Sequence, residues 1–274
     1  MAEKICNPSV SEKYSLEEIR MFWTDQAHVH GQAAAASWSD FRVIEMEVRE
    51  ILKHLSEGDQ VLDVGCANGF STVQFASQLD VNIRGLDYIP EMIRQARQRL
   101  VGVVDRLRGR VEFAEGDITG LEEPSNSYDK VVVIRVMINL RSWDRQLLGL
   151  RECARVLKPG GTLLMSEATV QGWNRLNLFR KEWGLPDIPM PPFNEYIDEE
   201  MLIAHLPDNL RLLDIVNFAS SYYVGTRVLK PLFAKLLGDN TAAANPNLEW
   251  NRWFSLLPPF GDYGTQKLFV LEKQ

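Results

Sequence analysis

Residues 130–136 read KVVVIRV. Four adjacent β-branched residues without polar alternation describe a strand covered on both faces, the usual situation inside a parallel sheet. Shorter apolar runs stand on either side of it, at 61–64, 82–86 and 111–114 before and at 162–167 after. Helical patterns lie between them, over 70–79, 90–100 and 143–157. The second of these has Pro90 in its first turn, where a missing N–H costs little. The third should stop at the KPGG of residues 158–161. Strands alternating with helices at this spacing predict an α/β chain, a Rossmann-like doubly wound sheet with helices on both faces.

The flanking segments are less regular. Ser15 followed by Glu18 has the form of a capping box and predicts a helix from Leu16 to about Asp25. The AHVHGQAAAASWSD stretch (27–40) reads as a loop or broken helix. Ile44, Val48, Ile51, Leu52 and Leu55 then share one face of a helix starting near Asp40. After Thr169 the alternation lapses into a Trp-, Asn- and Pro-rich stretch, read as an insertion over the top of the sheet. Helix resumes at 198–205, followed by a strand over 210–218, helices over 228–237 and 248–257, and a last strand over 267–272. The organisation expected is an N-terminal lid segment, 1–40, and one domain, 41–274, with cap insertions at about 170–205 and 226–260.

Composition narrows the function. The 274 residues are 45% hydrophobic with a formal net charge of -7, a balance that leans against a polynucleotide partner. The longest apolar stretch, VVVIRVMINL, is too short for a membrane span and contains Arg135. The first residues show no charged stretch followed by an apolar one, so no secretory signal is expected. Cys6, Cys66 and Cys153 form no metal-ligand spacing, and a disulfide framework is not expected at this size. A cytoplasmic protein with reduced thiols, without a metal, is the reading; an oligomer is compatible with it.

Chemistry concentrates in VLDVGCANGFST, residues 61–72. In open parallel sheets, ligands bind beyond the carboxyl ends of strands, where the strand order reverses. Gly65 and Gly69 allow unusual dihedrals and close backbone approach. Asp87, 22 residues after Gly65, ends the second strand, where a carboxylate can accept from both hydroxyls of a ribose. Asp117 in EGDI follows the third strand and suits an adenine amino group, with Ile118 against the ring. The turn G-C-A-N-G lacks the GxGxxG of dinucleotide sites. Asp63, inside the strand end, is unhelpful beside a pyrophosphate but suits an ammonium group.

These pieces together resemble class I S-adenosylmethionine (SAM)-dependent methyltransferases. The likeness runs from VLDVGCANG through GLDYIPEMI, EGDI and YDKVVVIRVMINL to VLKPGGTLLMSE, over roughly residues 40–170. It implies a seven-stranded sheet with strand 7 antiparallel, and SAM as methyl donor, leaving S-adenosylhomocysteine (SAH). By position it implies that Asp63, Gly65, Cys66, Ala67 and Gly69 surround the methionine end. Asp87 takes the ribose, Tyr88 and Met92 flank ribose or adenine, and Asp117 and Ile118 contact adenine. Arg135 lies near the sulfonium. Ala67 departs from the family's usual glycine, and its methyl group requires a negative φ or a small shift of the turn.

The acceptor is less determined. The likeness of INLRSWDRQ, SSYYVGTRV and PPFGDYGTQKLFVLEK is to bacterial small-molecule methyltransferases of surface-polysaccharide and modified-sugar clusters, which implies a small polar acceptor methylated at oxygen. A sugar, phosphate, phosphonate or carboxylate fits. A methyltransferase acting on nitrogen of RNA or protein, and a SAM-binding module without chemistry, are the alternatives. Glu167 is the carboxylate best placed as general base, with a structural role as its alternative; Asn139 and Arg135 join it as catalytic candidates. Trp173, Asn174, Asn194, Tyr196, Tyr222, Tyr223 and Arg227 are the substrate candidates. An anionic acceptor would call on Arg135, Arg175, Arg180 and Arg227. His28, His30, Trp38 and Asp40 of the N-terminal segment are further candidates near the mouth, with a solvated loop as the favoured alternative for His28 and His30.

Overall fold

The computed structural model describes residues 14–238 and 245–274. Cys6 and part of the expected cap insertion at 226–260 lie outside them. Seven strands form one sheet: β1 Gln60–Val64, β2 Asn82–Asp87, β3 Arg110–Glu115, β4 Tyr128–Ile134, β5 Leu157–Ala168, β6 Leu210–Val216 and β7 Gln266–Lys273. Their order is β3-β2-β1-β4-β5-β7-β6. β1 to β5 run parallel, and β7 lies antiparallel between β5 and β6. Val131, Val132 and Val133 are wholly buried, because helices cover both faces of the sheet at this strand.

Each crossover helix supplies an apolar stripe. Among them are α3 Phe70–Gln78, α4 Pro90–Val101 and α5 Trp143–Val156. Val73, Phe75, Ile93, Leu150 and Cys153 are buried on them. The chain runs from β1 to β2 and β3 on one side, then returns to lay β4 on the other. The strand order therefore reverses between β1 and β4, which opens a crevice at their carboxyl ends, beside Gly65 and Arg135.

Three sequence expectations change. The first helix, α1 Leu16–His30, has the capping box, with the Glu18 N–H donating to Ser15 Oγ and the Ser15 N–H to Glu18 Oε2. It continues five residues past Asp25, because nothing in QAHVH stops a helix before Gly31, which turns at φ +52. β4 ends at Ile134 rather than Val136. Arg135 takes the left-handed region at φ +56 and a short 3₁₀ turn follows over Met137–Asn139. The stretch after Thr169 is not wholly irregular: α6 spans Val170–Glu182, capped by Thr169, whose hydroxyl accepts the Gly172 N–H at 3.1 Å. Its inner face carries Asn177 and Arg180, which bond the following loop at Ile188 and Pro186, so no apolar stripe announced it.

Between α1 and β1, α2 spans Phe41–Leu52 and buries Val43, Ile44, Val48 and Ile51. Glu47, also buried, shares that face and turns its carboxylate to Arg135, Ser166 and Gln266. α1 is tied over the strand ends by Asn68, whose Nδ2 donates to the carbonyls of Gly31 at 2.9 Å and Ala33 at 2.8 Å. No helix among the described residues is long and apolar enough to cross a membrane.

Candidate functional site

Two adjoining cavities occupy the crevice. The first, about 290 Å³, is lined by Asp63 near the end of β1 with Gly65, Cys66 and Ala67 beyond it, Asp87 at the end of β2 with Tyr88 and Met92 beyond it, and Asp117 and Ile118 after β3. The second, about 330 Å³, lies under α1 and the segment before α7 (Glu199–Ala204). Trp23, Ser37, Arg135 and Asn139 line both.

The carboxylates of the first cavity are held by backbone N–H groups and by threonine hydroxyls. Asp87 Oδ2 accepts the Ala67 N–H and Oδ1 the Ile89 N–H, both at 2.9 Å. One side chain thus ties the turn after β1 to the turn after β2. Asp63 Oδ2 accepts from Thr72 Oγ1 at 2.5 Å. Asp117 Oδ1 accepts from the N–H and hydroxyl of Thr119. Burial pushes the Asp63 carboxyl up to about 7 and the Asp87 carboxyl up to about 6, against the hydrogen bonds that favour their charged forms. Burial also raises the Cys66 thiol well above its ordinary value, so this sulfur is a wall and not a nucleophile.

Gly65 sits at φ +76, and a Cβ there would come within 2.1 Å of Val136 Cγ2. Gly69 does not line the cavity; in the left-handed region, it starts α3. Ala67 has φ +48, not the negative value expected for an alanine. The hydrogen bond from its N–H to Asp87 holds it there at a cost of about 1 kcal/mol. Ala67→Gly removes that strain and returns a similar entropy to the unfolded chain. The melting temperature should stay within about 3 °C of the parent by calorimetry; a larger fall would show that the methyl group packs favourably.

Arg135 stands between the cavities. Its guanidinium pairs with the buried Glu47 carboxylate and lies 5.1 Å from the Trp38 ring centre. Glu47 also accepts from Ser166 Oγ at 2.7 Å and Gln266 Nε2 at 3.0 Å. Asn139 donates to the Arg135 carbonyl at 2.8 Å and accepts from Asn194 Nδ2 at 3.1 Å. Asn194 and Tyr196 both line the second cavity.

Glu167 does not line either cavity, which corrects its placement as general base. Its carboxylate is fully buried and accepts the N–H groups of Val136 and Met137 at 2.8 Å and of Ile138 at 3.4 Å. It shapes the turn that carries Arg135 and Asn139. The structure also moves Trp173, Asn174, Tyr222, Tyr223 and Arg227 away from both cavities. Trp173 donates its indole N–H to the Ile188 carbonyl, and Asn174 faces solvent. Tyr222 and Arg227 are drawn to the buried carboxylate of Asp40, Tyr222 at 2.8 Å, and Tyr223 is buried beside them. Arg175 pairs with Asp262, and Arg180 bonds the Pro186 and Arg227 carbonyls. His28 is exposed on α1 and pairs with Glu91, and His30, not in a solvated loop, lines the second cavity.

Sequence reasoning missed several lining residues. Phe22, Trp23 and Gln26 of α1, Phe193, and Gln266 at the start of β7 all face the second cavity. Phe22 and Phe193 are 4.8 Å apart between ring centres. The adjacent aromatics of MFW on a short helix were a usable signal, because one helix face cannot bury neighbouring residues against the same core.

Comparison with known proteins agrees with the geometry. Residues 61–161 match the family model described as a methyltransferase domain. A methyltransferase from Streptomyces halstedii is 29% identical over 151 residues, covering 55% of this chain and 50% of that protein. Phosphoethanolamine N-methyltransferase 1 of Arabidopsis thaliana is 31% identical over 152 residues, covering 56% and 27%. The chain thus spans half or less of the length of these relatives. In fold it is similar to magnesium protoporphyrin IX methyltransferase from Synechocystis, solved with bound SAH. The TM-score is 0.60 at 15% identity, covering 95% of this chain and 100% of that one.

Proposed function

Since residues 61–161 form a methyltransferase domain on the class I SAM-dependent methyltransferase fold, we propose that this chain transfers a methyl group from SAM to a small polar acceptor, at oxygen. The observation that carries it is the set of three carboxylates, Asp63, Asp87 and Asp117, converging on one cavity between the turns after β1, β2 and β3. The residues present fit the cofactor. Two buried acids that ionise only reluctantly favour a ligand bringing an ammonium group and hydroxyl donors. Asp63 and the turn Gly65–Ala67 would hold the methionine end, Asp87 the ribose, and Asp117 with Ile118 the adenine, Tyr88 and Met92 flanking it. When bound, SAM supplies a sulfonium-activated methyl group.

The chain's own residues then align the acceptor and exclude water. Arg135, fixed by Glu47 and Trp38, forms the partition between the cavities. Asn139, held by the Arg135 carbonyl, keeps an amide at the same boundary. α1, closing both cavities with Trp23, serves as a lid segment. The acidic net charge supports a small-molecule acceptor over RNA, and the few, scattered cysteines support a cytoplasmic setting.

Calorimetry with SAH, followed by transfer of labelled methyl from SAM to candidate acceptors, tests this function. Micromolar one-to-one SAH binding is expected; its absence at high micromolar concentration would refute it. The pH dependence adds a second check. Raised carboxyls stabilise the free fold most below their unfolded values, near pH 4, and that contribution is lost as pH rises through about 6 for Asp87 and about 7 for Asp63. SAH prefers the ionised acids, so its increment in melting temperature should grow from about pH 5.5 to about pH 8. A flat increment would show that neither acid faces the ligand.

A further inference from the structure

The second cavity has a distinctive chemical inventory. Among the described residues, none that lines it is Asp, Glu, Lys or Cys. Arg135, the one permanent cation among its described lining residues, is matched by Glu47, which is itself fastened by Ser166 and Gln266. The guanidinium charge is met inside the protein, which leaves little to attract a phosphate or carboxylate. The walls are aromatic at Phe22, Trp23, Trp38 and Phe193, with the amides of Asn139, Asn194 and Gln266 between them. Flat apolar faces with interspersed amides suit an uncharged ring bearing hydroxyl groups.

A hydroxyl must lose its proton as it is methylated, and the cavity offers few places for that proton. The Arg135 guanidinium offers donors and no acceptor for it. Burial pushes the Tyr196 hydroxyl up to about 12, so it donates hydrogen bonds. The Glu167 carboxylate is engaged with the turn behind. His30 remains, half-buried in the last turn of α1. The next residue, Gly31, accepts a hydrogen bond from Asn68, which lines the first cavity. His30 faces the second cavity from the α1 stripe that also carries Phe22 and Gln26, on the helix whose Trp23 lines both cavities.

We propose that the second cavity receives an uncharged, hydroxyl-bearing ring and that His30 takes the hydroxyl proton during methyl transfer. This rests on the first cavity being the SAM site. The O–H bond breaks and its proton passes to an imidazole nitrogen of His30. The oxygen lone pair forms the new O–CH3 bond, the S–CH3 bond breaks, and its electron pair stays on sulfur as SAH. The imidazolium then returns the proton to solvent.

The test uses SAH-saturated protein with two probes sharing one ring, 4-nitrophenol and 4-nitrophenyl phosphate. Bound 4-nitrophenol should absorb as the phenolate at a pH where most of the free probe is neutral, and should bind at least tenfold tighter than the phosphate ester. His30→Gln should keep 4-nitrophenol affinity within about threefold and lose the phenolate band. Phe193→Ala should weaken the probe at least tenfold with SAH affinity unchanged, which locates it in the second cavity. Tighter binding of the phosphate ester would overturn the uncharged class. A phenolate band unchanged in His30→Gln would overturn the role of His30. SAH binding without any 4-nitrophenol binding would overturn this proposal alone, whereas no SAH binding would overturn the cofactor reading beneath it.

Discussion

Asp87→Ala is expected to weaken SAH binding by about a hundredfold. The carboxylate does two things at once. Its oxygens take the N–H groups of Ala67 and Ile89, and the lone pairs left over face the cavity, where ribose hydroxyls can donate. Removing it orphans two backbone donors, one of them in the turn meant to hold the methionine end. It also deletes the acceptor for the ribose. A buried hydrogen bond left unmade costs about 1–3 kcal/mol, and a hundredfold in affinity is about 2.7 kcal/mol. Asp87→Asn keeps one acceptor oxygen and should fall between. Titration calorimetry at pH 8, where Asp87 is ionised, measures both; an Asp87→Ala affinity within threefold of the parent would remove Asp87 from the site.

Glu167→Ala should lower unfolding free energy by about 4 kcal/mol, read from urea denaturation. Three N–H groups of the turn after β4 converge on this one carboxylate, and no solvent reaches them to substitute, since the side chain is fully buried. Glu167→Gln retains an oxygen for Val136 and Met137 but brings an amide N–H against Ile138, so a loss of about 1–2 kcal/mol is expected. Methyl transfer should fall with the folded fraction and no further. A Glu167→Gln variant of parental stability but without activity would restore this residue as a base.

Much of the architecture was legible in the sequence because its signals are local. The run 130–136, the capping box at Ser15 and the alternation of strands with helices follow from residue types a few positions apart. The turn residues Asp63, Gly65, Ala67, Asp87 and Asp117 were likewise readable, because the end of a parallel strand is where a crevice opens. What escaped was decided at long range. Glu167 at a strand end looks the same from sequence whether it faces a substrate or the neighbouring turn. Tyr222 and Arg227 look like a polar mouth until Asp40, 182 and 187 positions away, is seen to hold them. Phe22 and Trp23 could be suspected from their adjacency on α1, but only the packing of α1 over the strand ends shows which cavity they wall. Ala67 was misjudged for another reason: a single hydrogen bond to Asp87 outweighs the modest preference of alanine for negative φ.

A crystal structure with SAH bound tests the central claim most directly. The account predicts SAH in the first cavity, with its ribose hydroxyls on Asp87, its adenine between Asp117, Ile118 and Met92, and its homocysteine end against Asp63 and the Gly65–Ala67 turn. The sulfur should face Arg135 and the second cavity. SAH found elsewhere on the chain, or reversed so that adenine meets Asp63, would contradict it.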